Sequence, residues 1–394
     1  MYRRCDQEGV LTAGPIPPFT EEHEALRESL RSFVEREIRP HAPAWEAAEE
    51  FPRELFNRMG ELGFLGISYP EEYGGQGGDS IHGAVFAEEM ARSGSGGVAA
   101  GIGGHTGIAM PPILKFGTEE QKQRWIVPGL RGDKIGALAI TEPSAGSDVA
   151  GLRTLARREN GEYVVNGSKT FITNGVRADF YVTAVKTTQE GGHQGLSFLV
   201  LEKGMPGFEV SRKLEKLGWH ASDTGELSFS DTRVPAENLL GEENKGFYLI
   251  MANFQWERLA MALGAVGGMQ ATFERTLDYV KEREAFGRPI GRFQAVRHKI
   301  AEMATKIEAC RDLTYHSLRL FVSGHDALKE VSCAKLLACR VAVEVADDAV
   351  QLHGGYGYMR EYDVERALRD ARLGPIGGGT DEIMKEIIGK QLGL

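Results

Sequence analysis

The sequence predicts a mainly α-helical protein with a central β domain, on three observations. Residues 19–134 repeat apolar side chains at intervals of three and four, as in Glu24-Ala-Leu-Arg-Glu-Ser-Leu-Arg-Ser-Phe-Val-Glu, the spacing of one helix face. Between residues 135 and 246 the period shortens, with β-branched and aromatic runs at Tyr163-Val-Val, Phe180-Tyr-Val-Thr-Ala-Val, Leu196-Ser-Phe-Leu-Val-Leu and Glu226-Leu-Ser-Phe. Over residues 247–394 helical spacing returns in long runs at 247–283, 294–323 and 327–353.

Taken in order, residues 1–18 read as a flexible tail. In the first helical domain, the segment from Gly94 to Gly107 is so rich in Gly and Ala that something must approach the backbone closely, either a neighbouring helix or a ligand. Its Gly94-Ser-Gly-Gly-Val-Ala run fits a loose dinucleotide fingerprint, but no β-branched strand precedes it, so that reading is set aside. In the β domain, Asn160-Gly and Asn166-Gly read as turns. The C-terminal helices are long enough to need partners on more than one face, which suits an oligomeric helical bundle. Cys310, Cys333 and Cys339 lie in helical sequence; with Cys5 they show no metal-ligand or disulfide spacing and read as buried thiols.

A chain of 394 residues exceeds the size at which one core stops growing, so two or three packed units are expected. The formal net charge of −10 argues against nucleic acid and anionic membranes as partners, since both attract basic surfaces. No stretch approaches the roughly 18 apolar residues of a membrane span, and no secretion signal is visible. A cytoplasmic bacterial protein is the expectation.

The segment Ala139-Ile-Thr-Glu-Pro-Ser-Ala-Gly-Ser-Asp148 resembles the first signature of the acyl-CoA dehydrogenase family. A second signature-like run, Gln351-Leu-His-Gly-Gly-Tyr-Gly-Tyr-Met-Arg-Glu-Tyr362, follows in the C-terminal helices, then Arg369-Asp-Ala-Arg and Gly377-Gly-Gly-Thr-Asp-Glu-Ile. Between them stand Arg283-Glu-Ala-Phe-Gly-Arg-Pro-Ile and Phe293-Gln-Ala-Val, in the family's order. The resemblance implies an N-terminal helical domain, a small β-barrel or sheet domain and a C-terminal four-helix bundle, with FAD as cofactor and no metal.

By that resemblance Thr141 meets the pyrimidine side of the flavin, Ser147 a phosphate and the substrate, and Phe171 and Thr173 pack on the ring and bond near N5. Leu138, Ile140 and Gly146 flank them, and Thr380 and Glu382 complete the flavin positions. A Thr-Glu-Pro-Ser-Ala-Gly-Ser loop suits this chemistry because it offers hydroxyls and unblocked N–H groups beside small residues. Arg283, Phe286, Gln294, Gln351, Gly354 and Gly355 match positions that reach the FAD of a neighbouring subunit. Arg283 offers the paired donors a pyrophosphate needs; an exposed helix arginine paired with Glu282 or Glu284 is the alternative, favoured only if Arg283 stood alone.

Many family members take their catalytic base from a Glu in a Tyr-Glu-Gly-Thr run, where this chain has Ile376-Gly-Gly-Gly-Thr380. Gly378 replaces that Glu. Glu257, in Phe254-Gln-Trp-Glu-Arg-Leu259, resembles the base of the isovaleryl-CoA and long-chain branches, which comes from an earlier helix. Its neighbours at three and four positions are Asn253, Phe254, Ala260 and Met261, surroundings that raise a carboxyl pKa. Arg258 matches a residue that contacts CoA, and Gly378 and Gly379 match substrate positions, with the Gly378 N–H available to the thioester oxygen.

The resemblance implies FAD-dependent α,β-dehydrogenation of an acyl-CoA thioester, long-chain or branched, by a homotetramer that passes electrons to an electron-transfer flavoprotein. Glycines at 101–107 and the missing side chain at Gly378 both suit a roomy acyl pocket. A flavin oxidase or monooxygenase on the same fold, and a non-catalytic acyl-CoA-binding member, stay open as alternatives.

Overall fold

The computed structural model describes residues 15–188 and 192–394, so Cys5 and the first part of the expected tail lie outside the described residues. The tail is tied down before residue 19: the Pro17 carbonyl accepts from Arg319 at 3.3 Å, and Phe19 is buried edge-on against Tyr315. The principal N-terminal helices are α1 (Glu21–Phe33), α2 (Ser80–Met90) and α3 (Gly96–Gly103), with shorter helical turns between and after them. Asp79 caps α2 by accepting from the N–H groups of Ile81 and His82 at 2.8 and 3.1 Å, and Ser95 caps α3.

The β domain contains β1 (Gly136–Ala139), β2 (Leu155–Glu159), β3 (Glu162–Thr173), β4 (Phe180–Lys186), β5 (Leu196–Glu202), β6 (Phe208–Lys213), β7 (Thr224–Pro235) and β8 (Leu239–Leu240). They form one curled, mostly antiparallel sheet in the order β6-β7-β3-β2-β4-β5-β8, with β1 parallel to β4. β4 and β5 are buried on both faces. One face holds Tyr163, Val165, Tyr181, Leu199 and Leu227, and the other packs Phe180, Val182 and Phe198 against Trp125 and Ile126 of the N-terminal helices.

Asn160-Gly161 is a two-residue hairpin turn between Glu159 and Glu162, with φ of 50° and 84°. Asn166-Gly167 corrects the expectation of a turn. It lies inside β3 as a bulge, where Asn166 pairs with Asp231 of β7 and a side chain at Gly167 would strike Thr154.

The C-terminal helices are α4 (Gly246–Glu282), α5 (Gln294–Val322), α6 (Leu328–His353), α7 (Val364–Ala371) and α8 (Asp381–Gln391). Val266, Ile307, Ala338 and Val345 join α4, α5 and α6 in one core. Leu259, Leu263, Leu318 and Val331 also enter the core of Phe33, Phe56 and Val85. Helices at the two ends of the sequence therefore share a core, and α4 stands between them. Cys310 and Cys339 are buried, whereas Cys333 is only half-buried. It stands six residues from Cys339 and so about 240° round α6. Among the described residues no helix is long and apolar enough to cross a membrane.

Candidate active site

The Thr141–Asp148 loop leaves the end of β1 and is clamped from beneath. Glu142 is buried and accepts from Lys169 Nζ at 2.8 Å and from the N–H groups of Arg153 and Thr154 at 2.6 and 2.9 Å. Lys169 also donates to the Ile140 carbonyl at 3.0 Å, and the Thr170 N–H to the Thr141 carbonyl at 2.9 Å. Burial pushes the Glu142 carboxyl up, but Lys169 and the backbone donors outweigh it and hold the group below its ordinary range. Burial pulls Lys169 down to about 8 against the opposing effect of Glu142.

Two residues beyond Lys169, a second bulge in β3 puts Phe171 at φ 60°, and its ring is 69% exposed. An aromatic held in left-handed backbone and left uncovered marks a functional surface. Phe171, Thr173, Leu138, Ile140, Thr141, Gly146 and Ser147 line one cavity of about 1470 Å³. Among the described residues the hydroxyls of Thr141, Ser147 and Thr173 have no protein partner, as a ligand-facing set requires. An uncovered ring, three free hydroxyls and a wall without side chain at Gly146 fit a planar heteroaromatic cofactor with a phosphate tail.

α4 forms the opposite wall. Glu257 Oε1 accepts from Asn253 Nδ2 at 2.6 Å, one turn earlier on the same face. Burial raises the Glu257 carboxyl to about 7, with Asn253 and Arg258 pulling the other way. Arg258 is buried over the Phe254 ring at 5.4 Å, its Nε without a hydrogen-bond partner.

The glycine run reaches α4 from the other side. Gly378 and Gly379 both adopt left-handed backbone, at φ 61° and 97°. Buried Lys335 donates to the Gly379 carbonyl at 2.6 Å, and Asp381 pairs with Arg340 at 2.7 Å. The Gly378 N–H has no acceptor among the described residues. Gly378 does not open the volume expected of it: a β-carbon there would collide with Met261 Sδ, one turn beyond Glu257. The room comes from elsewhere. Gly103 and Gly107 line the cavity with nothing within 4 Å of a β-carbon, whereas Gly101 packs on the Phe51 ring.

The cavity thus gathers Glu257, Arg258, Gly378, Gly379 and Thr380 with the flavin-like set from the β domain. Glu382 does not join it. It is exposed on the first turn of α8, held low by its own backbone N–H and the Thr380 hydroxyl.

Arg283, Gln351, Gly354 and Gly355 meet in a separate surface groove with Tyr279 and Tyr356, where Arg283 lies 5.4 Å over the Tyr356 ring. Beside it, β9 (Glu284–Ala285) and β10 (Arg288–Pro289) form a small hairpin whose tip presents Phe286, 94% exposed. Gln294 is exposed at the start of α5, near His298. Sequence reasoning missed Glu142, Lys169 and Lys335, and it read Met261 only as an apolar neighbour of Glu257. Glu142 and Lys169 left a trace, an acid in a turn and a charged residue in an apolar strand, with nothing in the chain to pair them.

Three domain profiles match in order: acyl-CoA dehydrogenase, N-terminal domain, over residues 20–133; middle domain over 137–232; C-terminal domain over 244–393. The mitochondrial long-chain specific acyl-CoA dehydrogenase of Sus scrofa is 45% identical over 95% of this chain and 87% of that protein. The crystal structure of acyl-CoA dehydrogenase from Geobacillus kaustophilus superposes with a TM-score of 0.92 at 44% identity, covering 96% of this chain and all of that one. The FAD complex of PigA does so at 0.92 with 30% identity over 95% of this chain and 98% of that one. The chain belongs to the acyl-CoA dehydrogenase family of FAD-dependent oxidoreductases.

Proposed function

We propose that this enzyme converts a long-chain acyl-CoA thioester to its trans-2-enoyl product, with Glu257 as the base. The observation that carries the reading is the Glu257 carboxyl, raised to about 7 and opening on the cavity against which Gly378 presents a free N–H. A base poised near neutrality is matched to taking a weakly acidic proton.

Glu257 removes the Cα proton through the oxygen left free, since Asn253 holds its Oε1. The Gly378 N–H takes the thioester oxygen, where negative charge develops, and buried Lys335 and Arg258 flank that turn with positive charge. Thr141, Ser147, Phe171 and Thr173, which line the same cavity, are the residues that would hold the cofactor. Bound FAD supplies the two-electron acceptor for the hydride that leaves Cβ. Arg258, lacking a carboxylate partner within ion-pair distance among the described residues, receives the polar part of the substrate.

The unaccompanied groove at Arg283, Gln351 and Gly354 with its exposed Phe286 supports a homo-oligomer, a tetramer in our reading, in which these residues reach a neighbour's FAD. An electron-transfer flavoprotein is the acceptor we assign. The experiment is anaerobic titration of the holoenzyme with palmitoyl-, octanoyl- and isovaleryl-CoA, following the oxidised flavin band in wild type and Glu257→Gln. Palmitoyl-CoA bleaches the wild type most readily, and the variant binds it but stays oxidised, with reduction slowed about 10²–10⁴-fold. Equal bleaching of the variant removes Glu257 as base.

A further inference from the structure

α1 and α2 start side by side, and each carries a histidine three residues after its cap, His23 after Thr20 and His82 after Asp79. Glutamate or glutamine commonly fills that third position, reaching back to the cap N–H. Both histidines do the same through Nδ1, which lies 3.0 Å from the Thr20 nitrogen in one and 3.2 Å from the Asp79 nitrogen in the other. A glutamine would serve either cap, but it would not bring two imidazole rings to 4.2 Å.

Capping leaves the other ring nitrogens unused. His23 is buried, 5% exposed, and its Nε2 has no hydrogen-bond partner among the described residues. That nitrogen stands 3.7 Å from Asp79 Oδ1, beyond hydrogen-bond reach but close to the roughly 3.4 Å that separates two ligands of a tetrahedral zinc ion. His82, half-buried, faces carboxylates on both sides, with Nδ1 2.8 Å from Asp79 Oδ1 and Nε2 3.5 Å from Glu22 Oε1. A neutral ring has one N–H, so one of those nitrogens turns a lone pair toward an anion. His23, Asp79 and His82 each offer a ligand atom, and the three atoms lie within 4.8 Å of one another. Asp79 caps α2 through Oδ1, and its carboxylate has a second oxygen to give.

Protons answer this arrangement poorly. Each serves a single nitrogen, and two imidazolium rings at 4.2 Å repel each other at the positive ends of two helices. One metal ion takes a lone pair from each ring and is neutralised by the carboxylates beside them. Two imidazoles with oxygen ligands suit zinc and its transition-metal neighbours, whereas magnesium and calcium take oxygen alone. We infer that His23, His82 and Asp79, with Glu22 in the fourth position, form a divalent transition-metal site of the zinc class that fastens the start of α1 to the start of α2. Farther along, Arg27–Glu88 and Arg31–Glu89 pairs at 2.6 Å join the same helices. α2 also carries Ser80 and Gly83 on the wall of the active-site cavity, so the metal steadies that wall from outside it. The inference does not depend on which thioester is the substrate.

The test strips the holoenzyme with EDTA and dialyses it against Zn²⁺ alone, in wild type, His23→Gln and His82→Gln. Glutamine at the third position keeps each capping box and removes only the ring, so both variants are expected to fold and retain FAD. The expected result is one Zn²⁺ per wild-type chain, held at least about tenfold more weakly in either variant, since even an outer-shell partner of a metal is worth that much. Saturating Zn²⁺ raises Tm by a few degrees in wild type and not in the variants. Absence of stoichiometric Zn²⁺ in wild type overturns the inference, and so does equal retention in all three proteins, which puts the ion elsewhere. Should the variants not fold, Co²⁺ titration of the wild type decides alone. Visible bands of a nitrogen- and oxygen-bound ion support the site, and the unchanged spectrum of aqueous Co²⁺ overturns it.

Discussion

Glu142 and Glu257 are the same side chain in two settings, one buried and the other half-buried at a cavity wall, and the protein treats them in opposite ways. Glu142 receives three donors within 2.9 Å, one of them the Lys169 ammonium, and is held below the ordinary carboxylate range. Glu257 receives one neutral amide at 2.6 Å and rises to about 7. A carboxylate whose lone pairs are satisfied serves as an anchor, and one left short of donors is free to bind a proton. The anchor sets the loop that carries Thr141 and Ser147, and the unsatisfied group faces the same cavity from α4.

The largest effect is expected from breaking the anchor. Lys169→Met leaves Glu142 buried without its counter-ion, which costs about 3–5 kcal/mol, read as lowered Tm and weakened FAD retention. The pH profile of the surviving activity stays where it was, because Glu257 is untouched. A shifted profile would show that the two sites are not separable.

A smaller effect of opposite sign is expected at the base. The Glu257 pKa is higher in the folded protein than the ordinary 4.5, so its contribution to stability is present at low pH and is lost as pH rises through about 7. Glu257→Gln removes that loss. Denaturation curves should show the variant more stable at pH 9 by roughly 1–3 kcal/mol, with the difference shrinking toward pH 4. No gain at pH 9 would mean the carboxylate is better solvated than its surroundings imply.

The smallest change sharpens the comparison by one donor. Asn253→Leu removes the hydrogen bond that favours ionised Glu257, so the acidic limb of kcat/KM moves to higher pH. Activity at neutral pH falls several-fold and recovers under alkaline conditions. An unmoved limb assigns the titration to another group.

The long helices and β4 and β5 were legible because each repeats one period over many residues, and Gln294–Val322 and Leu328–His353 begin and end within a residue or so of the sequence-based runs. Asn166-Gly167 was misread because a turn and a bulge use the same dipeptide, and only the partner strand β7 distinguishes them. Gly378 was misread for a similar reason. A missing side chain says nothing of who occupies its space, and Met261 does.

By itself the sequence determined the order of helix, sheet and helix, which depends on local period, and through its motifs it proposed Glu257 as the base and the Thr141–Asp148 loop for the cofactor. Tertiary structure alone decided which charges pair, since Glu142 and Lys169 are 27 residues apart. It also decided that Glu382 faces solvent while Glu257 faces the cavity. A pKa, a cavity wall and an unpaired donor arise from neighbours in space, and chain separation does not encode them.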